Sequence, residues 1–549
     1  MKPFKKFIAL LLIMLMGAGT LAAAETSVVK GRVLCGGNGV EGVLVSDGHN
    51  VVKTDKDGAY ELAVDLSISD FVHISVPSGY EVERKGNYPL FFGRLDTSAT
   101  APQTFDFNLT KVDQSSYTLL TLADTHVCGG VNRYANADEV QLYNNYFMPE
   151  LREVVAAANG EGRTYLITLG DMTQVGYRPS YRVGKEGAGY SFTDYMRDTN
   201  VDIPIFNVIG NHDHDVPKKG TAFTESSIRG SRRDYHAELG PVYYSMTIGR
   251  EHYIILDNTF VLTSDAHGST DEKATTGNQV RLCNAQAQWL EKHMAMVDRS
   301  TFDRVVLCMH CGLLNANGGF SMMRPHQIYK PISDCEIVAL IGHTHCDRTV
   351  KTWQGGRVIY EFMHPSTAGV AWYGPINCEG TPGAIVSYKF KGKTFERNYH
   401  PYGTQKNVKY RVYDNADHAW KYPINEITGA HWSHAREVEY GYYKHRPAII
   451  ANVWGAYTCT FTESTGGKGE VTHGCYDLEY RDWYWENYEK SLNKELPKGQ
   501  RLSRANWQNP KKSNSAWRYV PADPTAEVKV VAKDVFGRVV AEFTARASK

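Results

Sequence analysis

Five short blocks of carboxylate, imidazole and amide residues lie between positions 124 and 345 of the sequence. In chain order the blocks are Asp124-Thr125-His126, Gly170-Asp171, Gly210-Asn211-His212-Asp213, His310 and Gly342-His343-Thr344-His345. Carboxylate, imidazole and amide oxygen form a mixed ligand set that suits Mn, Fe or Zn rather than a thiolate structural zinc site. The chemistry to which these residues point is therefore metal binding.

Each block begins where an apolar run of the chain ends. The runs are Thr118–Ala123, Tyr165–Leu169, Ile203–Ile209, Val305–Met309 and Glu336–Ile341. Two segments between them, Glu139–Ala158 and Ala285–Val297, have apolar residues at helical spacing. Strands that alternate with helices predict an α/β layered core buried on both faces. Ligands gather beyond the carboxyl ends of such strands, so we expect the five blocks to converge on one rim.

The spacing within the blocks also fits a shared site. Residues two apart in extended chain point the same way, so Asp124 and His126 can reach one ion, and His343 and His345 can face a shared cluster. A glycine before a block allows a sharp turn and a close backbone approach. The glycines in this position are Gly170, Gly210 and Gly342.

The ordered set Asp-x-His, Gly-Asp, Gly-Asn-His-Asp, His and Gly-His-x-His resembles the calcineurin-like metallophosphoesterase superfamily. The resemblance implies a four-layer αββα core, two divalent or trivalent metal ions (Mn, Fe or Zn), and hydrolysis of a phosphate monoester or diester by a metal-bridging hydroxide. It assigns the metal ligands as Asp124, His126 and His345 for one ion, Asn211, His310 and His343 for the other, and Asp171 as the bridge. His212 is then the catalytic general acid, and Asp213 orients it.

The flanks of this region read as β structure. Val43 and Val45, like Leu62 and Val64, follow the period of two that is typical of half-buried strands. The stretch Gly39-Val40-Glu41-Gly42-Val43 with its neighbours resembles a small transthyretin-like sandwich. We expect a signal peptide at 1–24, a transthyretin-like β-sandwich at 27–112, a calcineurin-like phosphoesterase domain at 115–374 and a β-rich C-terminal domain at 375–549.

The first residues have the pattern of an export signal. Lys2, Lys5 and Lys6 precede the apolar run Phe7–Met16, and Ala22-Ala23-Ala24 supplies small residues for cleavage after Ala24. The run is too short to span a bilayer comfortably, and no later segment is a candidate. These patterns predict an exported protein, periplasmic or secreted, without a transmembrane segment.

Charge balance restricts the partners. Lys and Arg number 60, as do Asp and Glu, and no dense basic stripe is present. This balance disfavours long nucleic acid and leaves a small phosphorylated substrate as the expected partner.

Several other residues have two possible roles. Cys128, Cys311 and Cys346 lie beside the blocks, but small buried residues are favoured over thiolate ligands. His214 and Asp215 are favoured as loop residues, whereas His364 is a candidate phosphate contact. The aromatic residues Trp420, Trp432, Trp454, Trp483 and Trp485 form either a ligand platform or, as we favour, packed core. Cys459 and Cys475 flank a turn-like Ser464–Gly467 and are the best pair for a disulfide.

One alternative function comes from another class. The β modules could capture a glycan or lipid while the α/β part serves as an inactive phosphoesterase scaffold, in a periplasmic or surface binding protein. The intact Asn211-His212-Asp213 argues against this reading, because a decayed enzyme should have lost part of so costly a polar cluster.

Overall fold

A computed structural model describes the chain over most of its length. The described residues are 26–127, 143–173, 196–197, 199–215, 225–261, 268–269, 278–369, 376–414, 448–477 and 511–547. The signal-peptide prediction falls outside them, as do Cys128 and four of the five tryptophans named above.

Two larger sheets form most of the N-terminal part, with strand orders β11-β1-β12-β7, to which β2 and β5 also pair, and β10-β6-β3-β4, and β8 and β9 form a separate two-stranded sheet. Leu62 and Val64 are buried and alternate with exposed residues in β5, which confirms the period-two pattern there, whereas Val43 and Val45 lie in a continuously buried stretch. The strands are β1 Thr26–Cys35, β2 Asn38–Gly39, β3 Leu44–Ser46, β4 Val51–Lys53, β5 Ala59–Asp65, β6 Phe71–Ile74, β7 Tyr80–Val82, β8 Arg84–Lys85, β9 Tyr88–Pro89, β10 Phe92–Arg94, β11 Gln103–Thr104 and β12 Phe107–Lys111.

The central part contains two larger sheets, of order β15-β14-β13-β25-β26 and β16-β17-β21-β22-β24-β23. The strands are β13 Ser116–Leu122, β14 Arg163–Leu169, β15 Ile205–Val208, β16 Tyr244–Ile248, β17 Glu251–Ile255, β18 Thr259–Val261, β19 Gly268–Ser269, β20 Asn278–Val280, β21 Arg304–Met309, β22 Glu336–Ile341, β23 Arg348–Gln354, β24 Arg357–Met363, β25 Ala384–Lys391 and β26 Thr394–Pro401. The α-helices are α1 Met148–Asn159, which follows a π-helical turn Tyr143–Phe147, α2 Glu225–Ser231, α3 Arg233–Leu239, α4 Asn284–Met296 and α5 His326–Tyr329. Three 3₁₀ turns are Arg299–Thr301, Lys330–Ile332 and Gly403–Gln405.

Alternate side chains of the central strands pack into different layers. Leu119 of β13 and Val306 of β21 join one buried cluster between the two sheets. Leu120 of β13 packs outward with Leu151 of α1, and Leu307 of β21 packs outward with α4. This arrangement gives the four-layer αββα core that the resemblance implied. Among the helices of the described residues, none has the length and hydropathy needed to span a bilayer.

Two further sheets, which we call the C-terminal sheets, have the strand orders β27-β28-β31-β30 and β29-β32-β33. Their strands are β27 Tyr410–Asp414, β28 Ile449–Val453, β29 Thr458–Glu463, β30 Glu470–His473, β31 Ala516–Val520, β32 Glu527–Lys533 and β33 Val539–Arg546.

The expected boundary at residue 374 does not coincide with the edge of the central sheets. Strand β25 pairs antiparallel with β13 along its length, and β26 then pairs with β25. Residues beyond 374 therefore complete the first central sheet before the chain enters the C-terminal sheets.

No disulfide joins Cys459 to Cys475, the pair that the sequence offered as the best candidate for a bridge. Strand β29 pairs with β32, and β30 pairs with β31, so the turn-like residues between them connect two different sheets. Cys459 packs with Phe461, and Cys475 lies in a separate small core.

Candidate metal centre

The carboxyl ends of strands from both central sheets meet at one edge of the sandwich. Strands β13, β14 and β15 of the first sheet lead into the blocks at 124–126, 171 and 211–213. Strands β21 and β22 of the second sheet lead into the blocks at 310 and 343–345. The rim predicted from the sequence is therefore shared by two facing sheets.

The first cluster consists of Asp124, His126 and His345, whose ligand atoms all lie within 4.8 Å of one another. The Nε2 atoms of His126 and His345 are 3.0 Å apart, and His345 Nε2 lies 3.3 Å from Asp124 Oδ1. The Asp124 carboxylate also accepts the backbone N–H of His343 at 3.0 and 3.1 Å. These bonds tie the block after β13 to the block after β22.

The second cluster consists of Asp171, His310 and His343, with Asn211 beside them. His310 Nε2 lies 3.1 Å from Asp171 Oδ2, from Asn211 Oδ1 and from His343 Nδ1. Asp171 Oδ2 also lies 3.8 Å from His126 Nε2 in the first cluster. Asp171 thus lies between the two clusters.

The chemistry of these atoms fits a cation. His310 Nδ1 lies 2.8 Å from the carbonyl oxygen of Leu169, so this nitrogen donates its hydrogen there and Nε2 is directed at the cluster. Nε2 faces the carboxylate of Asp171 and the amide oxygen of Asn211, so either a proton on Nε2 or a bound cation must supply positive charge between these atoms. Burial lowers the pKa of His310, but Asp171 and Asp124 outweigh it and raise the pKa to about 10. A metal ion bound by the same atoms would supply this positive charge.

The backbone of the ligand blocks is not extended, so our explanation of the two-residue spacing is wrong. Asp124 and His126 have φ of 52° and 43°, and His343 and His345 have φ of 72° and 52°. These residues lie in the left-handed region beyond the strand ends, where tight turns rather than the pleat direct both side chains to one side.

The role expected for the glycines is confirmed. A Cβ on Gly210 would lie 2.1 Å from the Asp171 nitrogen and 2.3 Å from its Oδ1, and one on Gly342 would lie 2.9 Å from Asp124 Oδ2. Gly170 has φ of +86°, and a Cβ there would lie 2.6 Å from His310 Nδ1. Each position requires the absence of a side chain.

His212 lies next to the clusters, with its side chain 18% exposed and its Nε2 3.9 Å from Asp171 Oδ2, and with His126 and Asp171 it forms a third group whose ligand atoms lie within 4.8 Å of one another. Its ring stands perpendicular to that of His126, with centroids 4.8 Å apart. The Asp213 carboxylate accepts the backbone N–H of Thr173 at 3.0 Å and that of Gly210 at 2.8 Å. Asp213 therefore fixes the loop that carries His212 to the loop after β14.

His364, the candidate phosphate contact, is engaged within the protein. It is buried, its Nδ1 lies 2.9 Å from the carbonyl oxygen of Ile341, and its Nε2 lies 2.9 Å from the Tyr388 hydroxyl. Both ring nitrogens are thus committed, and the expectation of a phosphate contact is wrong.

Among the described residues, those for which we favoured a structural role are held by partners within the protein. His214 bonds to Ser231 Oγ and Thr259 Oγ1, and the Cys346 thiol donates to the Thr344 carbonyl. Cys311 is buried, and its backbone is held by Asn258. Trp454 is buried and donates to the Val408 carbonyl, as expected for packed core.

Two supporting residues were not assigned a role from the sequence. Asn258 bonds both the N–H and the carbonyl of Cys311, directly after His310, at 3.1 and 2.8 Å. Ser366 Oγ donates to the Asp124 carbonyl at 2.8 Å. Ser366 follows the end of β24, which runs parallel to β22, so the same strand-end rule that found the ligands points to it.

Three family models match the chain. The model for calcineurin-like phosphoesterase matches residues 117–347, the model for the N terminal of calcineurin-like phosphoesterase matches 27–112, and the model for the C terminal of calcineurin-like phosphoesterase matches 361–539. Comparison with curated proteins gives no match.

Several solved structures resemble this one at low identity. The sulfate thiohydrolase SoxB of Thermus thermophilus is 16% identical over 52% of this chain and 56% of its own, with a TM-score of 0.30. The 5'-nucleotidase of Candida albicans is 14% identical over 53% of this chain and 52% of its own, also with a TM-score of 0.30. The calcineurin-like phosphoesterase YfkN of Bacillus subtilis is 13% identical over 52% and 90%, with a TM-score of 0.23. The chain thus spans about half the length of the first two structures.

Proposed function

The chain belongs to the calcineurin-like phosphoesterase family, and from this premise we propose that it is an exported metal-dependent hydrolase of phosphoric esters. The observation that carries the proposal is the meeting of two carboxylate–imidazole clusters with Asp171 between them. Export rests on the N-terminal pattern of Lys2, Lys5, Lys6 and the apolar run that follows.

We assign Asp124, His126 and His345 to one ion, and Asn211, His310 and His343 to a second, with Asp171 shared. When bound, such a pair of ions lowers the pKa of water toward neutrality and polarises phosphoryl oxygens. Hydrogen bonds such as that from the His343 N–H to the Asp124 carboxylate fix the blocks relative to one another, so the proposed ligand atoms are already close together.

His212 is the proposed general acid. Its ring reaches the edge of the clusters and is partly exposed, so a leaving-group oxygen can approach it. Asp213 acts as a positioning residue, because its carboxylate, next to His212 in the chain, accepts the N–H of Gly210 in the same loop and the N–H of Thr173 in the loop after β14. Protonated His212 would donate to the leaving oxygen, an aid that matters most for poor leaving groups.

Two substitutions separate metal binding from proton transfer. Asp171→Ala should remove metal and activity together, whereas His212→Ala should keep the metal and lower turnover by about 10²–10⁴-fold. The assay uses the metal-loaded protein with para-nitrophenyl phosphate and with bis-para-nitrophenyl phosphate, together with measurement of metal content. Full activity in the His212→Ala protein would overturn the acid assignment.

The same assay addresses the substrate class. Balanced charge and a site at the sandwich edge support a small phosphate monoester or diester rather than long nucleic acid. Absence of turnover of both substrates by protein with metal bound would contradict the proposed hydrolase.

A further inference from the structure

Asp347 is a buried carboxylate two residues beyond His345, at the junction between the ligand loop and β23. Its Oδ2 accepts the Ser515 hydroxyl at 2.6 Å and the Gly455 N–H at 2.8 Å. Its Oδ1 lies 3.1 Å from Arg397 of β26, and its own N–H donates to Glu379 at 2.8 Å. Two of these partners, Ser515 and Gly455, belong to the C-terminal sheets.

Adjacent strands of the C-terminal sheets deliver both partners to the same point. Strand β28 ends two residues before Gly455, strand β31 begins directly after Ser515, and the two strands pair antiparallel. Gly455 has φ of +76°, and a Cβ there would lie 3.2 Å from the Tyr399 ring. The close approach of its N–H to Asp347 therefore depends on glycine.

The two histidines of the ligand loop are held by different parts of the molecule. His343 donates its N–H to Asp124 within the central sheets. His345 lies further along the loop in a left-handed conformation, and the loop ends at Asp347. The C-terminal end of the loop is thus anchored by Arg397, Gly455 and Ser515.

We propose that Asp347 is a positioning residue through which the C-terminal sheets hold His345 in the first cluster. The inference rests on the proposed function, because it assumes that the clusters bind metal. The first cluster depends on this anchor and the second does not, since His310 and His343 are fixed by Leu169, Asn258 and Asp124. Loss of the Ser515 hydroxyl should therefore weaken one metal site selectively.

The test is a calorimetric titration of metal-free, full-length protein with Mn²⁺. Removal of an outer partner of a metal ligand typically costs about 10–100-fold in affinity, and we expect about tenfold for Ser515→Ala because Asp347 acts through two residues of backbone. The ion at the other site, the second cluster, should bind with wild-type affinity. Ser515→Thr keeps the hydroxyl and should restore both affinities.

Ser387→Ala is the matched control, because Ser387 is also buried but bonds to His400 on β26. It should leave both affinities unchanged. In a His345→Ala background, which lacks a ligand of the first cluster, adding Ser515→Ala should not weaken the remaining site further. Equal weakening of both sites by Ser515→Ala, or of neither, would overturn the inference.

Failure of the proposed function gives a different result, because wild-type protein would then bind no Mn²⁺ at the two sites. If Ser515→Ala does not fold, Asp347→Asn is titrated in its place. The asparagine keeps the volume of the side chain and removes the charge that three donors share. Wild-type affinity of both sites in that protein would contradict the role of Asp347.

Discussion

Five of the residues proposed as metal ligands have a backbone conformation that L-residues rarely adopt. Left-handed φ costs about 1–2 kcal/mol for such residues, so the surrounding structure must hold it in place. Backbone bonds do so here, for example Asp124 N–H to the Gly170 carbonyl and His126 N–H to the Asp171 carbonyl. The five residues are Asp124, His126, Asp171, His343 and His345.

Close packing of backbone around the ligands predicts the effect of a single methyl group. Gly210→Ala would place Cβ within 2.3 Å of Asp171 Oδ1, so we expect loss of stoichiometric metal and at least about a hundredfold loss of activity. Metal content and turnover of para-nitrophenyl phosphate measure both effects.

Gly230→Ala is the control for this substitution. Gly230 lies in α2, and a Cβ there meets no atom within 4 Å. We expect unchanged metal content and a gain of about 0.5–1 kcal/mol in the free energy of unfolding. Normal metal binding by the Gly210→Ala protein would show that the loop relaxes without cost.

At the scale of elements, a buried acid joins the two central sheets. Glu251 on β17 accepts the hydroxyl of Tyr117 from β13 at 2.9 Å and lies 3.4 Å from Arg304 of β21. Burial raises the pKa of Glu251 to about 7, although Arg304 and Tyr117 oppose the shift. We therefore expect the stability of this contact between the sheets to change with pH.

The free energy of unfolding should fall as the pH rises toward the pKa of Glu251. Between about pH 4.3 and 7 the folded state keeps a proton on Glu251 that the unfolded chain has released, so the free energy of unfolding falls as pH rises. Relative to Glu251→Gln, the wild type should lose up to roughly 3 kcal/mol across this window. Urea unfolding at a series of pH values measures the difference.

Glu41→Gln, at an exposed carboxylate of the N-terminal part, is the control and should follow the wild-type curve. Parallel stability curves for wild type and Glu251→Gln would contradict the prediction.

The sequence predicted the strands and the candidate ligands at their ends because both are local patterns. Apolar runs that end in Gly-Asp or Gly-His-x-His identify strand and site together. The pairing of β25 with β13 was not predicted, since more than two hundred residues separate the strands and the sequence of neither strand identifies its partner. The turn-like residues between Cys459 and Cys475 suggested a hairpin that does not form. Residues typical of a turn do not show which sheet each flanking strand joins.

At the scale of the whole molecule, the N-terminal sheets and the central sheets share one apolar core. Val29, Val45 and Val76 lie in the same buried cluster as Leu119 and Val306. Ser78 Oγ donates to the Gly249 carbonyl at 2.7 Å, and Arg229 of α2 pairs with Asp70, directly before β6. Apolar packing as well as polar contacts therefore joins the N-terminal sheets to the sheets that carry the candidate metal centre.

Metal removal should accordingly lower stability without unfolding the protein. A ligand that binds only the folded state adds about 2.7 kcal/mol at a hundredfold excess over its Kd. We expect EDTA to lower the calorimetric transition temperature, Mn²⁺ to restore it, and the far-ultraviolet circular dichroism at 25 °C to stay unchanged. The Asp171→Ala protein should show no such shift, and an equal shift in that variant would place the stabilising metal elsewhere.

The position of β25 beside β13 has a consequence for biosynthesis. Strand β13 emerges early from the ribosome, but its neighbour on one side is complete only at Lys391. Roughly 270 residues separate the ends of the two strands, a delay of roughly 15–50 s at about 5–20 residues per second of translation. A nascent chain cannot close this sheet before then, so the edge of β13 that β25 covers in the folded protein stays open during this interval.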